Sequence, residues 1–149
     1  MGKEKSIFTT LFSILFSWLG FLTIPVLLMV GCNIIDYITG LIACSYRKEN
    51  LTSNKGIKGI IKKVCMWFLV IVGAMVDLLL RYASDQIGIT IQLNYLIASI
   101  VAMWIICNEI ISILENMVDI GVKIPPFLLP LVDQIRKETE HAMEGKEKK

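Results

Sequence analysis

At 149 residues, with 55% hydrophobic side chains and a mean hydropathy of +0.67, the chain has too little polar surface to enclose its apolar residues in water. It is therefore expected to be an all-α integral membrane protein, because three of its apolar segments approach the roughly 20 helical residues that cross a bilayer. The net charge of +2 is informative only when divided along the chain, and no nucleic-acid partner is expected.

The four cysteines, Cys32, Cys44, Cys65 and Cys107, lie in apolar segments with no CxxC pair, so they read as helix residues rather than a zinc site or a disulfide framework. The single histidine, His141, sits in a polar tail, and there is no glycine-rich phosphate loop, HExxH or GxSxG motif. No catalysis, metal or cofactor is expected.

Residues 7–46 carry one charge, Asp36. As a single helix they would measure about 60 Å, roughly twice the hydrocarbon thickness, so a break is expected within residues 20–25, where Pro25 suits a first helical turn. The first half, a helix over about 6–23, carries a stripe of Ser6, Thr9, Thr10, Ser13 and Ser17. Such a helix could span or lie in the interface, and a stripe of hydroxyls without lysine or arginine favours spanning. In the second helix, over 25–46, Asn33, Asp36, Tyr37, Gly40 and Cys44 share an arc of about 100°. This small, polar face is expected to meet another helix or water, leaving the aliphatic face to lipid.

Residues 47–61 read as a basic loop. With the two lysines that follow, the segment holds Arg47, Lys48, Lys55, Lys58, Lys62 and Lys63 against Glu49 alone. Short basic loops stay in the cytoplasm. A third helix is expected over 62–82 and a fourth over 87–118. Ala98 and Ala102 on the latter are spaced for close packing in lipid. Asn108, Glu109, Ser112, Glu115, Asn116 and Asp119 then share one arc, so this helix is expected to leave the bilayer with that arc wet. Gly121 should end it, and Pro125 and Pro126 prevent its continuation. A cytoplasmic amphipathic helix follows through Leu128, Leu131, Val132 and Ile135. The expected division is a membrane domain over 1–120 and a cytoplasmic tail over 121–149, with both termini inside.

A carboxylate at a helix centre costs roughly 2.5–3.5 kcal/mol to insert, so Asp36 and Asp77 need partners. Arg81, one turn on, is the expected partner of Asp77. Asp36 has none on its own helix. Its options are protonation, a hydrogen bond from another helix, Lys62 or Lys63, or water in an assembled channel. The stretch over 36–63 is thus the expected centre of organisation.

Four ordered blocks carry a family resemblance: Asp36, Tyr37, Ile38, Thr39 and Gly40; Ser53 with Gly59, Ile60, Ile61, Lys62 and Lys63; the run 108–116 from Asn108 to Asn116; and Gly121, Val122, Lys123, Ile124 and Pro125. From about residue 25 to 130 the chain resembles the toxin-secretion and phage-lysis holins, which include phage holins of Gram-positive hosts and clostridial toxin-export holins. The resemblance implies a small protein of the bacterial cytoplasmic membrane that accumulates, self-associates at a set time and opens lesions through which an endolysin or a toxin leaves. Its partners would be its own copies and membrane lipids, with the endolysin or toxin served without necessary contact. Asn33, Asp36, Gly40, Asp77, Arg81, Asn108, Glu109, Glu115 and Asn116 are the assembly or pore candidates. Two other classes fit the composition: a small ion-channel or transporter subunit, and a non-conducting membrane scaffold.

Overall fold

A computed structural model of the chain describes residues 20–48, 52–89 and 94–144, together with Ser6, Ile7, Thr9, Thr10, Ser13 and Ser17. Those six isolated residues are helical and exposed, and the Thr10 hydroxyl donates to the Ser6 carbonyl at 2.8 Å. The remainder of the first helix expected over 6–23, up to Gly20, lies outside the described residues. The break expected within 20–25 falls at Gly20, whose φ of +46° opens a short 3-10 turn, Gly20–Leu22.

Four helices follow: α1 (Thr23–Tyr46), α2 (Ser53–Gln86), α3 (Leu96–Ile120) and α4 (Leu128–Glu144). The first three are long and apolar enough to cross a membrane. Helix α2 starts nine residues before the expected 62, because the change from basic to apolar residues marks a change of solvent and not of backbone. Lysine and isoleucine propagate a helix on both sides of that change, and Thr52, extended at φ −101°, ends the loop. The 47–61 loop therefore shrinks to the few residues before Ser53. Helix α3 starts at Leu96 instead of 87. Gly88, Asn94 and Tyr95 all hold positive φ, through which a right-handed helix does not run. Its end is as expected: Gly121, at φ +94°, donates to the Val118 carbonyl while Val122 donates to Met117, a Schellman closure.

The bundle is organised around α3, not around the 36–63 stretch. Helices α1, α2 and α4 each pack against α3. In its most apolar window 39% of α3 is buried, against 17% for α1 and for α2. Helix α1 runs parallel to α3 and α2 runs antiparallel. Leu22, Met29, Val70, Ala98, Ala102 and Ile105 form the apolar core, the last three fully buried. The outward faces of α1 and α2 expose Ile34, Ile35, Ile38, Phe68, Ile71 and Leu79, a surface that suits lipid and would be an aggregation hazard in water.

Close approach of α2 to α3 depends on Gly73. A Cβ there would stand 2.9 Å from Ala98 Cα and 3.2 Å from its nitrogen. Four residues on, Asp77 is buried and its carboxylate accepts the Ile97 and Ala98 N–H groups at 3.0 and 2.9 Å. Asp77 therefore closes the first turn of α3 from a neighbouring helix and does not pair with Arg81, which is exposed. The free N–H groups of a helix start outcompete a flexible arginine, since their alignment needs no side-chain ordering. Asp77→Ala is expected to cost about 1–2 kcal/mol, as the loss of a helix cap does. Arg81→Gln should leave thermal unfolding in detergent unchanged.

None of the four cysteines is in a disulfide; Cys44 and Cys107 are buried, whereas Cys65 is exposed on the lipid-suited face of α2.

Candidate functional site: a polar layer inside the bundle

Asn33, Asp36 and Thr39 lie one turn apart on α1, and Glu109 and Asn116 two turns apart on α3. Both sets face the same interior level. Lys63 enters from α2 at the boundary between its basic and apolar segments. Its ammonium donates to Asp36 Oδ2 at 2.8 Å, to Asn33 Oδ1 at 3.3 Å and to the Glu109 carboxylate. Asn116 Nδ2 donates to Asp36 Oδ1 at 3.2 Å and to Thr39 Oγ1 at 3.3 Å, and the Thr39 hydroxyl donates to the Asp36 carbonyl. Only 6% of the Glu109 side chain and 15% of those of Asp36 and Lys63 reach solvent. Two carboxylates thus share one ammonium, and Asn33 Nδ2 is buried without a partner.

Charge-assisted bonds of this kind are stronger than neutral ones and fix direction. In an apolar bundle they set helix register more than they add net stability. Nothing among these groups resembles a nucleophile with its base, and the described residues hold no metal-type cluster of His, Cys, Asp and Glu. What the layer can do is hold three helices together through charges that are hidden from lipid.

Of the other residues singled out in the sequence, Gly40 lies beside Asn116, 3.6 Å from its Nδ2 if a Cβ is built. Asn108 turns back to the Trp104 carbonyl at 3.0 Å. The arc expected to be wet is therefore split: Glu109 and Asn116 are buried, while Glu115 and Asp119 are exposed. Arg47 binds Asp119 at 2.6 Å, tying the ends of α1 and α3 in a solvent-exposed pair. Lys48 has φ +54° just beyond α1, and Lys58 and Lys62 are exposed. The Lys55 side chain lies outside the described residues.

Sequence reasoning offered Lys63 only as one of several options for Asp36 and missed Thr39 and Gly73. It also missed the docking of α4. There Trp104 Nε1 donates to Glu140 at 2.9 Å, and Asp133 bridges Arg136 and Lys137. The Lys137 bond, aided by both positive charges, holds the Asp133 carboxyl below its ordinary value. Of the apolar residues that mark α4 as amphipathic, Val132 is buried but Leu131 and Ile135 are exposed.

The family model that matches residues 13–137 is described as the bacteriophage holin family. The chain belongs to that family. A probable holin of Bacillus phage phi105 is 30% identical over 117 residues, covering 78% of each chain. An uncharacterised Clostridium perfringens protein is 34% identical over 125 residues, 83% of this chain and 84% of its own. A Listeria monocytogenes protein is 34% identical over 122 residues, 81% of this chain and 79% of its own. No solved structure matches. The holin match spans α1, α2, α3 and the first half of α4, and so includes every residue of the polar layer.

Proposed function

We propose that the chain works as a holin without catalytic activity: it gathers in the bacterial cytoplasmic membrane, self-associates and opens lesions that let an endolysin or an exported toxin out. The observation that carries this reading is a charged layer enclosed by span-capable helices in a chain of the holin family. A lone bundle hides those groups, and only an assembly gives polar faces an aqueous use. Residues 1–120 then supply the spans of the membrane domain. The excess of lysine and arginine between α1 and α2 keeps that end, where α3 also stops, in the cytoplasm.

The test is induced expression in bacteria with and without a co-expressed endolysin, timing the loss of membrane potential and of turbidity. Early, abrupt depolarisation followed by endolysin-dependent clearing is the expected course. Asp36→Leu should insert yet shift the moment of lysis, because it removes the group that joins Lys63 to Asn116. Unchanged timing at equal expression would exclude Asp36 from the mechanism. Liposomes that pass ions but retain a folded enzyme would favour the ion-channel reading, and harmless overexpression would favour the scaffold.

A further inference from the structure

Helix α4 runs back along α3. Glu140 meets Trp104, while Leu129 and Asp133 line a groove with Ile111 and Glu115. This antiparallel register sets Glu138 near the level of Ile106 and Ala142 near that of Ala102. Trp104 lies five residues, about 7.5 Å of helix rise, beyond Glu109 into the apolar half of α3. Ala102 is deeper still, within the fully buried core and beside the exposed, apolar Met103.

The outward side of α4 at that depth does not suit lipid. Lys137, Glu138 and His141 are exposed there, while Thr139 and Val132 are turned in against the bundle. An amphipathic helix free of α3 would lie on the membrane surface. Docked along a spanning helix, its charged side needs water beside it, because hydrocarbon offers charges no partner.

We propose that α4 is the water-facing lining of the lesion, entering from the cytoplasmic end and presenting Lys137, Glu138 and His141 to the passage. The inference rests on the lesion reading and adds which element faces the water. It gives the exposed charges of α4, Lys137 and Glu138, a use that a tail in bulk solvent would not need. It also explains why docking relies on the Trp104–Glu140 bond and buried Thr139 rather than on Leu131 and Ile135.

Nitroxide labels in proteoliposomes test it, with leakage of an entrapped dye read in the same sample. Single labels replace Ala142, Met103 and Phe68, and a further sample carries the Ala142 and Met103 pair. In leaking vesicles the pair should be broadened by proximity. Ala142 should collide several-fold more with a water-soluble nickel complex than with oxygen, while Met103 and Phe68 show the reverse preference. The proposal is overturned if Ala142 prefers oxygen, since α4 then faces lipid. It is overturned if the pair is unbroadened, since α4 is then undocked, or if Met103 is as water-accessible as Ala142, since that level then lies outside the bilayer. Vesicles that never leak at high protein content overturn the lesion reading as well, which separates the two failures.

Discussion

Lys63→Met should be the most damaging single change in the polar layer. It keeps the length and apolar stem of the side chain but removes the one ammonium that Asp36 and Glu109 share. The protein must then either bury two like charges facing each other or take up protons at that level. Breaking a buried pair by removing one partner costs about 3–5 kcal/mol. Asp36→Leu should cost less, because Lys63 keeps Glu109. The check is unfolding in detergent micelles by added denaturant, comparing Lys63→Met alone with Lys63→Met combined with Glu109→Gln. The second change should restore part of the loss, since a neutral amide leaves only one carboxylate in the layer. Equal stability of wild type and Lys63→Met would show that the layer carries no structural charge pairing.

Gly73→Ala should be the second large effect, and its size comes from backbone rather than from chemistry. The new methyl group would sit inside contact distance of Ala98 Cα and nitrogen, neither of which can rotate away. Helix α2 must move off α3, loosening the core around Val70, Ala98 and Ala102 and spoiling the aim of Asp77 at the start of α3. Overpacking of this kind costs about 1–3 kcal/mol. Gly59→Ala is the matched control on the same helix. Nothing lies within 4 Å of its added Cβ, so the higher helix propensity of alanine, up to about 1 kcal/mol, should appear as a neutral or stabilising change. Thermal unfolding of the two variants in one detergent distinguishes them by sign. If both destabilised alike, close packing at Gly73 would be excluded as the cause.

The helical class, the break near Gly20, the inward polar face of α1, the small pair Ala98 and Ala102 and the stop at Gly121 were all legible in the residues. Each rests on periodicity, hydropathy or backbone preference, which act over a turn or two of chain. The start of α2 misled because a membrane boundary and a helix boundary leave the same mark in composition. Asp77 misled for a related reason: a partner one turn away looks sufficient until the start of another helix is brought beside it.

By itself the sequence determined that this chain is helical and suited to a membrane, and which side chains could not face lipid. Only the tertiary structure decided which lysine joins the two carboxylates, that α3 is the element all others rest on, and that α4 returns along it. Those pairings join residues 27 to 80 positions apart. No local pattern encodes such a pairing, because it is selected by how well whole helix faces fit together.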